Sequence, residues 1–553
     1  MGDRRVVQRR YAPKVRSGCV TCKIRRVKCD EAKPFCGRCT STGRKCDGYV
    51  PNPDPHGKLL VRLQEAPSKS LAYGPSYDAL EKRTFEFFRI RTAPCLSGRF
   101  HDPVWQRLVL QASHTEPVVR HAVNALGALH EERCLRAEAS VTGVEVGLVQ
   151  TFFPNRQYAR ALSGLQQLLG SKSASTNTIL LCALLCVHFE AMQERFLPAL
   201  THAENAMRLL DPAQAPTTEI VDPALVRAFI RIDLQGSFYI GVRMPSLAFI
   251  TSTSDNELPE SFTDLYQARD FVTTWACRLF SFLRMTADKH KFVTPGFLPL
   301  EAIAEAQKLE QTFIDLDRLL WSFMQKSNLK LNFREHHVLA MLRALTIENR
   351  IVTAGCLYTE ASIYDRFLPE FEQLLSICRF VLEAEDPADR LLSVSLDEGL
   401  LRALFFIVTH CRDSRTRHSA LALLKQLPAR QGAWHVDAMT KSADCAVRME
   451  EAGCGKESPR CEDIPEWRRV HSEGFDAWVL AAPRRNKVVA KFRLRPNGMD
   501  GEWADVEEEI ECRESTAVPL TSDDRRRYLQ LSSDITTIPY RMVPESERVN
   551  KWP

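Results

Sequence analysis

With 553 residues, 44% of them apolar and 26% charged, the chain exceeds what one core organises, and a small domain beside a large one is expected. The formal net charge of +5 conceals an asymmetry. Residues 1–50 carry 14 Lys or Arg against four acids, leaving 60 against 65 for the rest of the chain's 74 and 69. A basic head on a mildly acidic body points to a polyanion-binding module. The opening Met1-Gly2-Asp3-Arg4-Arg5 has no apolar stretch behind it, so no secretory signal is expected. Val6 stands where a myristoylation motif wants Ser or Thr. The longest apolar runs, around Leu180–Phe189 and Leu400–Val408, are too short to span a bilayer. An intracellular protein without a membrane partner is expected, where thiols stay reduced and closely spaced cysteines read as metal ligands.

Residues 1–18 form a basic arm (Arg4, Arg5, Arg9, Arg10, Lys14, Arg16) with no apolar periodicity, expected to be disordered when free. Six of the 18 cysteines then fall within residues 19–46: Cys19, Cys22, Cys29, Cys36, Cys39 and Cys46. Their spacing is one unit, C-x2-C-x6-C, written twice with an offset of 17 residues. Tetrahedral zinc takes four ligands, so two ions need eight ligand positions and six thiolates suffice only if two of them bridge. By the pseudo-symmetry the leading cysteine of each half, Cys19 and Cys36, is the natural bridge. The fragment has almost no apolar residues to build a core, so metal binding must supply its folding free energy, on the order of 10 kcal/mol or more.

The stretch from Cys19 to Asp30, followed by Lys33-Pro34-Phe35-Cys36 and the second C-x2-C-x6-C, resembles the fungal Zn(2)-C6 binuclear zinc-cluster DNA-binding domain. The resemblance implies two zinc ions, bridging by the first and fourth cysteines, and a short helix after each C-x2-C. It also implies a proline turn between the halves, matched by Pro34, and reading of a C-G-G-type triplet in the major groove of double-stranded DNA. The first half places Lys23, Arg25, Arg26 and Lys28 between its cysteines, whereas the second has Gly43 interrupting any continuous helix. The first half is therefore the better candidate for the groove. Arg26 aligns with the family position whose lysine contacts guanine edges, and an arginine fork there can bond O6 and N7 together. Lys23, Arg25 and Lys28 are then mainly phosphate contacts. The plainer alternative is that all four supply charge without reading sequence.

Residues 47–76 contain Pro51, Pro53, Pro55, Pro67 and Pro75 and read as a linker, without the sustained heptads of a dimerising coiled coil. Either the large domain dimerises or one triplet is read by a monomer. From 77 to about 525 the pattern is mainly α-helical, a bundle or irregular helical array. Helices are predicted over Tyr77–Thr92, stopped by Pro94, and over Val118–Leu129, opened by Pro117. Further helices are predicted at Asn155–Leu169, Asn177–Met192, Phe196–Leu210, Pro223–Ile240, Leu265–Arg284, Leu300–Phe323, His337–Tyr358 and Ile363–Glu383. Glu398–Val408, Arg417–Leu427 and Val436–Glu451 complete the series. The runs Phe87–Pro94, Trp105–Gln111 and His121–Glu131 resemble the helical regulatory domain of fungal zinc-cluster factors.

Phe475–Leu480 and Lys487–Leu494 flank Pro483-Arg484-Arg485-Asn486 as a predicted β-hairpin. Asp500–Glu511 holds seven acids interleaved with Trp503, Val506 and Ile510, readable as an activation segment or as the solvated face of a folded element. Residues 526–553 are left as a tail. Cys182 and Cys186, one helical turn apart, are either thiol sensors or small apolar packing groups. No G-x-G-x-x-G, P-loop or G-x-S-x-G sequence occurs. The expected protein is a nuclear, zinc-dependent DNA-binding regulator of RNA polymerase II genes, with metabolic or secondary-metabolite clusters as targets implied by the resemblance. Its expected partners are DNA, a second copy through the helical domain, and transcriptional co-regulators. The alternative is an enzyme or small-molecule receptor tethered to chromatin by the zinc module.

Overall fold

The computed structural model describes residues 19–46 (except 26 and 34), 78–142 (except 101), 152–171, 174–211, 219–239, 244–247, 257–290, 298–327, 331–384, 396, 400–428, 430–431, 434–475, 487–495, 497 and 502–512. The basic arm 1–18, the linker 47–76, Arg26, Pro34 and the tail 526–553 lie outside the described residues. The chain divides into two compact units, Met1–Tyr77 and Asp78–Pro553.

In the first unit two short helices follow the two C-x2-C pairs, α1 (Val20–Ile24) and α2 (Gly37–Thr40). Helix α2 is capped by Cys36, whose side chain accepts from the Cys39 N–H, and it stops well before Gly43, which adopts a left-handed φ of +63°. Among the described residues of this unit, the buried apolar cluster consists of the six cysteines alone.

The second unit is mainly helical. It opens with α3 (Ala79–Phe87), capped by the Asp78 carboxylate on the Leu80 N–H. The expected stop before Pro94 does not occur. A wide turn over Phe88–Thr92 carries the helix into α4 (Ala93–Leu96), with the Ala93 N–H bonding the Phe88 carbonyl. Widening the ladder by one residue makes room for a proline ring that would otherwise strike the preceding turn. After α5 (Val109–Thr115) comes α6 (Pro117–Thr142), which starts at Pro117 as expected but runs past Leu129. Gly127 lets α6 cross α3 closely, since a Cβ there would lie 2.3 Å from the Thr84 carbonyl oxygen.

Next come α7 (Phe152–Gly170), α8 (Thr176–Met192) and α9 (Phe196–Arg208). Every residue of α8 from Leu180 to Met192 is buried, as an apolar helix surrounded by others must be. Then α10 (Pro223–Tyr239), α11 (Leu265–Phe282), α12 (Leu300–Ser327) and α13 (Phe333–Gly355) follow. A core formed largely by α11, α12 and α13 includes Trp275, Leu279, Phe313, Leu316, Leu320, Leu339 and Leu342. Helix α13 starts at a capping box of Asn332 and Glu335 and also serves a second core, through Ile347 and Ile351. That core adds residues from α14 (Leu368–Glu383), α15 (Leu401–His410), α16 (Ser414–Leu424) and α17 (Val436–Glu451). The helix predicted from Ile363 is a 3-10 turn over Ala361–Phe367 before α14 begins, with Pro369 in its first turn.

A minor pair, β1 (Arg430–Gln431) and β2 (Trp434–His435), precedes α17. The C-terminal sheet has the order β3 (Ser472–Phe475), β4 (Lys487–Leu494), β5 (Ala504–Glu511), all antiparallel. The expected hairpin pairs β3 with β4, although its first strand lies earlier than Phe475–Leu480; residues 476–486 are outside the described ones. Val488, Ala490 and Phe492 alternate onto a small core with Ala438, Cys445 and Ala446 of α17. The acidic segment is strand β5. Glu507 sits opposite Lys491 in an ion pair of 3.0 Å, and Asp505 opposite Arg493 at 2.8 Å. Of its two readings, the structure gives the solvated face of a folded element. No helix among the described residues is long and apolar enough to cross a membrane.

Candidate metal centre and nucleic-acid interface

The duplicated spacing becomes a duplicated geometry. In the first half the Cys22 N–H points at Cys19 Sγ (3.4 Å) and the Cys19 N–H at Cys29 Sγ (3.4 Å). Seventeen residues on, the Cys39 N–H points at Cys36 Sγ (3.3 Å) and the Cys36 N–H at Cys46 Sγ (3.5 Å). Between the halves, Cys19 and Cys36 lie 3.5 Å apart, Cys19 and Cys39 3.8 Å, and Cys22 lies 3.7 Å from both Cys36 and Cys39. The ligand atoms of Cys19, Cys22, Cys36 and Cys39 all lie within 4.8 Å of one another, and Cys36 shares a second such group with Cys29 and Asp30.

These donors fit zinc. All six cysteines are buried and none is in a disulfide, with Cys19 and Cys36 Sγ well beyond the ~2.05 Å of an S–S bond. Backbone N–H groups aimed at sulfur favour the thiolate, the form that binds metal. Burial, followed by the neighbouring sulfurs, raises the Cys22 thiol, and burial also raises Cys19 and Cys36; thiolates packed this closely need a cation to offset them.

Asp30 was not singled out from the sequence. Its carboxylate accepts from the Arg38 N–H at 3.0 Å and from the Ala32 N–H at 3.4 Å, fastening the first half to the start of α2. Gly37 makes room for it, since a Cβ would come within 2.7 Å of Asp30 Oδ2. The pairing of an Asp after Cys29 with a Gly after Cys36 was the available signal. The chain turns just past Asp30, where Glu31 has a left-handed φ of +58°.

The basic candidates divide. Lys28 is exposed, whereas Arg25 is partly covered and its guanidinium reaches the Thr42 hydroxyl at 3.5 Å. Thr21 adds a second link between the halves, donating to the Lys45 carbonyl at 3.4 Å. The Lys23 side chain and Arg26 lie outside the described residues. In the helical unit, Cys182 and Cys186 are both buried, and burial pushes the Cys186 thiol up to about 12 and the Cys182 thiol up as well. Neither has the exposed thiolate a sensor needs, and packing is the reading that fits.

Comparison with known proteins agrees with this arrangement. Residues 17–54 match the fungal Zn(2)-Cys(6) binuclear cluster domain, and residues 83–432 match the fungal specific transcription factor domain. The chain is 33% identical over 221 residues to the aspercryptin biosynthesis cluster-specific transcription regulator of Emericella nidulans, covering 36% of this chain and 35% of that one. It is 25% identical over 249 residues to a transcription regulator, lscL, of Purpureocillium lilacinum, covering 42% and 59%. It is 26% identical over 204 residues to a Zn(2)-C6 fungal-type transcription factor of Aspergillus fumigatus, covering 36% and 52%. These alignments span from about a third to under two thirds of the relatives' lengths. No solved structure matches the chain. The matched families are transcription regulators rather than enzymes, and their zinc clusters bind two zinc ions and DNA. The second match covers more than half of the sequence, and the chain belongs to the fungal-specific transcription factor family with a Zn(2)-Cys(6) cluster ahead of its helical domain.

Proposed function

We propose that this protein is a nuclear, sequence-specific regulator of RNA polymerase II genes that reads a C-G-G-type triplet through its zinc module. The observation that carries the reading is the twofold repeat of N–H···S geometry around six buried sulfurs. Cys19, Cys22, Cys29, Cys36, Cys39 and Cys46 would hold two zinc ions, with Cys19 and Cys36 bridging. The close approach of those two sulfurs, and the place of Cys36 in both groups of ligand atoms, support that assignment. Bound zinc neutralises most of the thiolate charge and supplies the folding free energy that the unit's apolar residues do not. The chain itself orients α1, steadied by the Arg25–Thr42 and Thr21–Lys45 links to the second half.

Arg26 is the proposed base reader, and Lys23, Arg25 and Lys28 the phosphate contacts. The proposed domain organisation is a basic arm (1–18), the cluster (19–46), a linker (47–76), the helical regulatory domain (77–525) and a tail (526–553). Secondary-metabolite genes are the proposed targets, supported by the printed role of the Emericella nidulans relative. A second copy, docked through the helical domain, and transcriptional co-regulators are the proposed protein partners.

The test is selection of bound duplexes from a random library by the zinc-loaded full-length protein at fixed salt. One enriched C-G-G-type triplet is expected from a monomer, and two at fixed spacing from a dimer. Arg26→Ala should flatten the preference at the triplet by about 1–3 kcal/mol, while Lys28→Ala weakens all sequences alike and lowers the salt slope by about 1. No enrichment by folded, zinc-loaded protein would overturn the reading.

A further inference from the structure

Helix α14 is covered on one side only. Phe371, Leu374, Leu375, Cys378, Val381 and Leu382 join the core shared with α13, α15 and α16. The opposite stripe, Glu372, Gln373, Ser376, Arg379, Phe380 and Glu383, is exposed. At ~100° per residue these six side chains fall within about 120° of the helix circumference, with Ser376 at the middle. The Phe380 ring, 45% exposed, meets His337 at 4.8 Å, and His337 meets Phe333 at 4.2 Å. Phe333 is itself 63% exposed, so an aromatic surface runs from the stripe onto the start of α13. Glu372 and Arg379 share the other flank, and neither side chain has a hydrogen bond or an ion pair among the described residues.

This pattern of charge is complementary to itself. When two copies of one helix pack antiparallel about a twofold axis at Ser376, a residue beyond Ser376 faces one an equal distance before it, on the same flank. Arg379 stands three residues, ~4.5 Å, beyond Ser376, and Glu372 stands four residues, ~6 Å, before it. Arg379 of each copy therefore comes level with the partner's Glu372 to within one residue's rise, and the twofold axis makes the pairing twice. On the other flank Phe380 comes level with the partner's Gln373 to the same tolerance. Glu383 falls level with the partner's Pro369, so no like charges oppose one another. The short Ser376 side chain at the crossing suits the ~8–10 Å spacing of packed helices.

We propose, resting on the docking of a second copy through the helical domain, that the exposed stripe of α14 is where the two copies meet. They pair there as antiparallel helices joined by two Arg379–Glu372 bridges, with the aromatic surface of Phe380 and Phe333 alongside. An interface of one helix pair belongs to the weak, concentration-dependent class. Two copies held on neighbouring DNA sites meet at a raised effective concentration, and a spacing that permits the α14 pairing strengthens binding of both.

The experiment is sedimentation equilibrium of the zinc-loaded full-length protein, without DNA and at low salt, over a range of concentrations. A reversible monomer–dimer equilibrium is expected. Glu372→Arg and Arg379→Glu each turn two attractions per dimer into two repulsions and should weaken dimerisation at least about tenfold. Both positions are exposed, so circular dichroism should stay that of the parent. The double variant, Glu372→Arg with Arg379→Glu, restores opposite charges across the twofold axis and should recover the parent's dimerisation to within about threefold. A dimer that ignores the single reversals, or one that the double variant does not recover, overturns this surface while leaving the second copy to dock elsewhere. A monomer at every concentration overturns the surface and the second copy together, and leaves the triplet reading standing.

Discussion

The two units of this chain bury very different things. Among the described residues of the cluster unit the buried side chains are cysteines, while Ile24 and Phe35 stand 74% and 59% exposed. In the helical unit Phe313, Leu316, Phe371 and Leu374 are at or near zero exposure within cores that run through several helices. The first unit has local hydrogen bonds and a gathered set of sulfurs; the second has an extensive apolar interior. Such a contrast teaches that one chain can draw its stability from metal coordination at one end and from hydrophobic burial at the other.

The largest test of the contrast is zinc removal from the full-length protein. A strong chelator is expected to abolish DNA binding and unfold residues 19–46, because the metal supplies on the order of 10 kcal/mol there. The helical unit's melting transition is expected to stay within about 2 °C of its starting value, a shift that corresponds to about 2 kcal/mol in a unit this large and is well below the metal's contribution. Calorimetry with and without chelator reads both. A helical transition that collapses with the metal would break the contrast.

Next in size is the buried ion cluster that holds the helical unit's C-terminal part. Glu450 of α17 is fully buried and accepts from Arg412 at 2.8 Å, from Arg417 at 2.6 Å and from the Val470 N–H at 2.7 Å. Burial alone would raise its carboxyl, but the two guanidiniums outweigh that and hold it below the ordinary glutamate value. Glu450→Ala leaves both arginines buried short of a partner and is expected to cost about 3–5 kcal/mol by urea denaturation. A carboxyl depressed on folding contributes stability above its unfolded value of about 4.3 and loses it as pH falls below that. The parent should therefore lose stability on acidification below about pH 4 more steeply than the variant. A near-neutral substitution would show that this cluster is incidental to the fold.

How far the sequence revealed each unit follows from where its contacts lie. The cysteines are separated by two and six residues, so their pattern is visible in 28 consecutive positions. Helices such as α8 and α11 announce themselves by local apolar spacing, and their bounds were placed within a few residues. The continuation through Pro94 was not legible, because the wide turn that accommodates it depends on tertiary packing of Phe88 and Thr92, both buried. The role of the acidic segment became clear only through its pairing with β4.

The smallest effect sharpens the contrast within the cluster unit itself. Asp30 links the halves through the Arg38 N–H, a contact between residues eight apart that no metal makes. A carboxylate bonded to backbone N–H groups at the start of a short helix is worth about 1 kcal/mol, an order of magnitude below the zinc contribution. Asp30→Ala is therefore expected to leave the cobalt-substituted cluster's thiolate absorption in place and to shift its competition with a chelator by about fivefold. Asp30→Asn, which keeps an acceptor for the Arg38 N–H, should recover most of the difference. Complete loss of the metal spectrum in Asp30→Ala would mean that a carboxylate, and not sulfur alone, governs assembly of this unit.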